Sequence, residues 1–113
     1  MYVRYASKSM VIERLVPNPS ERLEFENIYG ADIESKLQAA DAFIDAMLQG
    51  YVDVPLNDPP RILMEAAADC AAALFLFDRK DVESARELMA RCEKLVEVFR
   101  SRFRYFGLAG ATE

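Results

Sequence analysis

DPPRILMEAAADCAAALFLFDRK, residues 58–80, reads as a helix with neighbours on almost every side. Asp58 is a capping residue, and Pro59 fits the first helical position, where no backbone N–H is needed. No Gly or Pro then interrupts the run to Phe77, and from Ala66 to Ala73 every residue except Asp69 is Ala or Cys. Side chains that small let other helices approach closely. A helix apolar nearly all round belongs at the centre of a bundle. Arg61, Glu65 and Asp69 break the apolar surface, and their i, i+4, i+8 spacing puts them on one stripe. Asp69, set among alanines, is expected to be a buried, paired charge, with an Arg on a facing helix as its natural partner.

Outward from this centre, Asp78-Arg79-Lys80 breaks the helix and Asp81 caps the last one, predicted over about Val82 to Tyr105. Val82, Ala85, Leu88/Met89, Cys92, Leu95/Val96, Phe99 and Phe103 trace its apolar stripe. On the other side of the centre, Asp32 caps a helix predicted from about Ile33 to Gln49, with Gly50 as its stop. Ile33, Leu37, Ala40, Ile44 and Met47 form its inner face, leaving Glu34, Asp41 and Asp45 on a solvated one. Tyr51–Leu56 is an extended connector. Asn18-Pro19-Ser20-Glu21 joins a cap, a proline at the first position and a Glu three after the cap. That pattern predicts a separate short helix over about Pro19–Glu26, with Leu23 as its main apolar contact and Ile28-Tyr29-Gly30 ending it. Ser7 caps a first short helix that stops near Leu15–Val16, before Pro17. The expected architecture is all-α: a small bundle of about four helices plus a short connector helix around a central Ala-rich helix, with extended termini. Residues 1–106 make one helical domain, and the small-residue stretch 107–113, GLAGATE, a flexible tail.

The 113 residues suffice for one modest core, and 52% hydrophobic with 29% charged residues is a globular composition. The net charge of −5 weighs against duplex nucleic-acid binding, which needs a positive face. Residues 1–56 hold five Lys/Arg against nine Asp/Glu, and residues 57–113 nine against ten, so the acidity lies in the first half. With no His, the usual general base, zinc ligand and triad partner are missing. The four glycines form no phosphate-binding loop. Asp41/Asp45 and Glu65/Asp69 are carboxylate pairs at helical spacing, but without the Glu-x-x-His partners of di-metal bundles. No catalytic residue, cofactor or metal site is therefore expected; a metalloenzyme on Asp41, Asp45, Glu65 and Asp69 is the minor alternative. Cys70 and Cys92 lack CxxC spacing and are expected as buried reduced thiols. The longest apolar stretch, Ala71–Phe77, is too short to span a membrane, and MYVRYASKSM carries no signal-peptide run, so the protein is expected to be made intracellularly.

Phe99–Phe106, FRSRFRYF, interleaves aromatics with arginines. Three arrangements fit: an amphipathic helix end with solvated arginines near the negative helix terminus, a protein interface, where Arg and aromatics are enriched, or a single-stranded nucleic-acid groove, the least favoured in an acidic chain.

The order of elements resembles the small helical head–tail connector (adaptor) proteins of tailed phages, of Mu-like and lambdoid type. The matching motifs are Ala40-Asp41-Ala42-Phe43-Ile44-Asp45-Ala46-Met47-Leu48 on A-D-x-x-I-D-x-x-L, then Tyr51-Val52-Asp53-Val54-Pro55-Leu56, then the Pro-started Ala-rich helix from Pro60 to Asp69 and a charged final helix. Tyr5-Ala6-Ser7 resembles the family's opening. The likeness spans roughly residues 1–100 and departs at the acidic Pro17–Gly30 connector and at Phe99–Glu113. It implies a structural virion protein in the phage neck, a homo-oligomeric, dodecameric ring between portal and stopper or tail-completion protein. DNA would slide through that ring without specific binding, as a negative lumen favours, and no membrane would be involved. On this resemblance Phe99, Arg100, Arg102, Phe103, Arg104, Tyr105, Phe106 and Leu108 are the expected portal-docking residues. A cellular adaptor domain binding one protein through its acidic N-terminal half is the alternative from another class.

Overall fold

A computed structural model describes residues 5–54 and 58–111, residues 103–111 by their backbone alone. Among the described residues there is no strand. Four α-helices follow one another: α1 (Lys8–Leu15), α2 (Arg22–Leu48), α3 (Arg61–Asp78) and α4 (Val82–Ala111), with one 3-10 turn at Pro19–Glu21 leading into α2. The body is elongated, 56 × 33 × 21 Å.

The Ala-rich helix is the centre, as its composition predicts. α3 packs against α1, α2 and α4. Leu63, every residue from Ala66 to Ala73, and Phe75 are buried. Its start is two residues later than Pro59. Pro60 is the cap, extended at φ −69°, ψ 160°, and the N–H groups of Leu63 and Met64 bond its carbonyl. A residue that precedes a proline is pushed out of the α region, so Pro59 could not be helical before Pro60. Only three residues join α3 to α4, which makes the two antiparallel neighbours. Lys80 turns the chain with φ 64°.

The largest departure from the sequence expectation is α2. Asn18 does cap as predicted, accepting from the Ser20 N–H, and Pro19 follows it. The short helix and the Ile33–Gln49 helix are nevertheless one unbroken helix of 27 residues, running through Gly30. Packing overrides the local stop signal. Phe25 and Tyr29 stack on each other and on Phe75 of α3, with ring centroids 4.8 to 5.6 Å apart. Asp32 is therefore inside the helix rather than capping it, and bonds Lys36 (3.3 Å) and Arg79 (3.1 Å) instead. The Arg79 guanidinium lies 3.5 Å from the Phe75 ring centroid and fixes this end of the bundle. Leu23, expected as the inward contact, is 72% exposed; the inward residues are Phe25 and Tyr29. At the far end Gly50 takes φ 91°, the left-handed stop expected of it.

Gly30 leads to a prediction. A Cβ there would meet Glu26 and Lys8 side-chain atoms at 3.7 Å, an ordinary contact. Gly30→Ala should therefore stabilise the protein by about 0.5–1 kcal/mol by removing backbone entropy from mid-helix. Urea denaturation would register this as a higher midpoint; a lower one would mean that the Lys8 side chain cannot give way.

Candidate partner interface and the charged core

Arg61, Glu65 and Asp69 line one side of α3 as their spacing requires, and that stripe is where two neighbouring helices are fastened. From α1, Arg14 Nε donates to Asp69 Oδ1 and its Nη2 to Glu65 Oε2, each at 2.6 Å, while Nη1 caps the Met10 carbonyl at 2.9 Å. From α4, Arg91 Nη2 donates to Asp69 Oδ1 at 2.8 Å. Arg61 approaches Glu65 Oε1 at 3.4 Å. Asp69 is completely buried, so it holds two arginines from two helices with a carboxylate shielded from water. Burial works against the Arg14 charge, yet the bonds to Asp69 and Glu65 outweigh it and hold the guanidinium above its ordinary value.

The hydrogen bond from Arg14 lowers the Glu65 carboxyl below its ordinary value of 4.5, against the opposing effect of its partial burial. A depressed folded-state value means that this stability is present above about pH 4.5 and is lost as pH falls through the folded value. Lys36 depresses Asp78 in the same direction. Thermal midpoints should thus be level from pH 7 to about pH 5 and fall below pH 4.5, with a shallower acid limb in Glu65→Gln. An identical acid limb in that variant would show that other carboxylates carry the effect.

Asp41 and Asp45 are not on a solvated face. Asp41 is 2% exposed, and its Oδ1 accepts from the Tyr5 N–H at 3.3 Å, while the Tyr5 hydroxyl donates to Asp45. The fully buried Tyr5 side chain thereby clasps the segment before α1 to α2. Sequence reasoning placed this pair outside because Asp at i, i+4 on an amphipathic helix is ordinarily solvated. The signal it missed is Tyr5, distant in sequence and aromatic. All four carboxylates of the metalloenzyme alternative, Asp41, Asp45, Glu65 and Asp69, bond other protein groups, and among the described residues no cluster of three or more His, Cys, Asp or Glu could hold a metal ion.

Cys70 and Cys92 are free, buried and face each other across α3 and α4. The hydrogen bond with Cys70, followed by burial, pushes the Cys92 thiol above its ordinary range, so it stays protonated at neutral pH.

The predicted docking residues divide. Phe99 is 6% exposed and belongs to the core, and Arg100 is folded back on the subunit. The Arg100 guanidinium lies 4.4 Å from the Tyr51 ring centroid, and Nη2 donates to the Tyr51 hydroxyl at 2.7 Å. Arg102 is exposed. The side chains of Phe103, Arg104, Tyr105, Phe106 and Leu108 lie outside the described residues, but their backbone continues α4 to Ala111, six residues beyond the expected end. Since α4 has 30 residues and antiparallel α3 has 18, about 12 residues of α4 run past the start of α3. At 1.5 Å per residue this is roughly 18 Å of helix. The Arg91–Asp69 and Arg100–Tyr51 contacts confirm the register.

Fold and surface thus define a small all-α module whose helices are locked by a buried charge network and whose longest helix outruns the bundle with a basic, aromatic sequence. The chain matches the family described as Bacteriophage Mu, Gp36 over residues 5–102, and belongs to that Mu-like phage family. No curated protein and no solved structure matches it. Family membership points to a phage structural or morphogenesis protein. No described helix is long and apolar enough to cross a membrane.

Proposed function

We propose that the chain is a head–tail connector subunit of a tailed phage. Copies assemble into a ring, dodecameric by the family resemblance, in the virion neck between the portal and a stopper or tail-completion protein. DNA passes through without specific binding, which suits a chain of net charge −5. The observation that carries this reading is the end of α4. In a member of a phage family, it runs past the bundle as a helix bearing Arg102, Phe103, Arg104, Tyr105 and Phe106. Arg and aromatic side chains are the usual anchors of protein interfaces. Phe99 and Arg100 support that helix from inside the subunit, so the docking residues are Arg102 and those after it, Leu108 included.

Truncation after Ser101 removes only the projecting end. The shortened protein should keep its helical circular dichroism and cooperative melting but no longer co-sediment with portal rings. Retained co-sedimentation would overturn the docking role. A particle map placing this chain away from the neck would overturn the connector assignment.

A further inference from the structure

At the start of α2 two neighbouring stripes make one surface. Glu24 and Ile28 are four residues apart, as are Phe25 and Tyr29, so the two pairs run side by side along the helix. With Val16 and Glu21, from the turn before α2, they line an open groove of about 200 Å³. Ile28 is 63% exposed there. The subunit itself holds the walls in place. Phe25 and Tyr29 are backed by Phe75, and the Arg79 guanidinium lies 4.9 Å from the Tyr29 ring centroid. The turn before α2 is fixed as well. Arg22 Nε donates to the Val16 carbonyl at 2.9 Å and Nη2 to that of Pro17 at 3.2 Å, while Asn18 Nδ2 donates to Glu21 at 3.0 Å. Walls that are already ordered cost little to fill. The volume is below the roughly 300–1,000 Å³ of small-molecule pockets, and suits one large side chain of a protein partner.

The lining states what would fill it. Val16, Phe25, Ile28 and the Tyr29 ring are apolar, and the exposed Glu21 and Glu24 are acidic. The arginines nearby are engaged, Arg22 with the two carbonyls and Arg79 with Asp32 at 3.1 Å. An apolar groove with carboxylates on its rim selects an apolar side chain flanked by Lys or Arg and rejects an acidic segment. Its place in the fold separates it from the portal end. Phe75 and Arg79 put the groove where α3 turns into α4. Arg100 bonds Tyr51, which follows the far end of α2, and α4 leaves the bundle there. We infer that the groove receives the protein next in line on the tail side, which enters it with one large apolar side chain flanked by Lys or Arg. This rests on the reading of the chain as a connector docked to the portal through the end of α4, and names the residues that hold its other neighbour. The contact is part electrostatic and weakens as salt rises.

The test follows maleimide labelling of full-length Ile28→Cys as the isolated protein, in tail-less heads that carry portal and this chain, and in completed particles. The native Cys70 and Cys92 are buried, so the label reads the introduced thiol. Leu23→Cys, which lines a different groove with Ile12 and Glu26, is the control. Labelling at position 28 should be equal in the first two states and fall by about tenfold or more in completed particles, because a covered thiol is not attacked. Labelling at position 23 should stay level. Heads with Ile28→Cys that fail to complete, while Leu23→Cys heads complete, support the groove in the same way. Glu24→Lys should weaken capture of the tail-side protein by about tenfold or more and leave portal binding unchanged. Protection already present in tail-less heads gives the groove to the portal or a second copy and overturns the inference. So does a thiol at position 28 that stays reactive in completed particles, equal protection at both positions, or capture indifferent to Glu24→Lys. Each of these leaves the connector reading standing. Particles whose necks lack this chain overturn that reading and this contact with it.

Discussion

Asp69→Ala should leave the protein at the edge of unfolding, with a loss of about 3–5 kcal/mol. The magnitude follows from what stays behind. The Arg14 side chain is 15% exposed and holds both Asp69 and Glu65 at 2.6 Å. Without Asp69 one of its two counter-charges disappears while the guanidinium remains largely desolvated, and removing one partner of a buried pair strands the other. Arg91 contributes less to the loss because its side chain is 62% exposed and can return to water. Set against a total stability of about 5–15 kcal/mol, the deficit is a large fraction. Urea denaturation followed by circular dichroism should show the midpoint falling by about 2 M if the slope is near 2 kcal/mol per M. Arg91→Ala, the matched control, should cost about 1 kcal/mol or less, as an exposed ion-pair partner does. An Asp69→Ala loss under 1 kcal/mol would mean that α1 is not fastened through this carboxylate.

Tyr5→Ala carries the second large effect, about 3–5 kcal/mol, as for other buried aromatics truncated to Ala. Tyr5 is 1% exposed and belongs to the main core cluster, although it lies near the start of the chain. Its loss would open a hole between the N-terminal segment and α2 and would take from Asp45 the hydroxyl it accepts from, while the backbone N–H donated to Asp41 remains. Tyr5→Phe separates the two contributions. It keeps the ring and removes only the hydroxyl donated to Asp45, which is half-buried, so about 1–1.5 kcal/mol should be lost. Equal losses in both variants would place the whole effect in the hydrogen bond. A Tyr5→Ala protein as stable as wild type would show that the segment before α1 contributes nothing to the fold.

Much of the bundle is written in local pattern. The alanines from Ala66 to Ala73 are buried because small residues at every azimuth of a helix admit neighbours from every side. Ser7, Asn18 and Gly50 act where their side-chain or backbone preferences place them. The pattern misled where tertiary contacts were stronger than a local stop. Gly30 costs a helix about 1 kcal/mol relative to Ala, less than the aromatic contacts of Phe25 and Tyr29 with Phe75 supply in the turn before it. Leu23 was misassigned for the same reason. In a continuous α2 the inward azimuth belongs to Phe25 and Tyr29, and Leu23 is carried outward.

The motif order that relates this chain to the Mu-like family has a physical basis that no linear pattern shows. Tyr5, from Tyr5-Ala6-Ser7, closes on Asp41 and Asp45, from A-D-x-x-I-D-x-x-L, so two motifs read separately are the two halves of one clasp. From residue types and spacing alone came the all-α class, the central helix and the candidate basic end, because helix periodicity, capping and composition are properties of neighbours in sequence. Only the tertiary structure decided which arginines reach Asp69, where α2 is unbroken, and that Phe99 and Arg100 turn inward. Those depend on how four helices of unequal length pack, and packing is a relation between residues far apart in the chain.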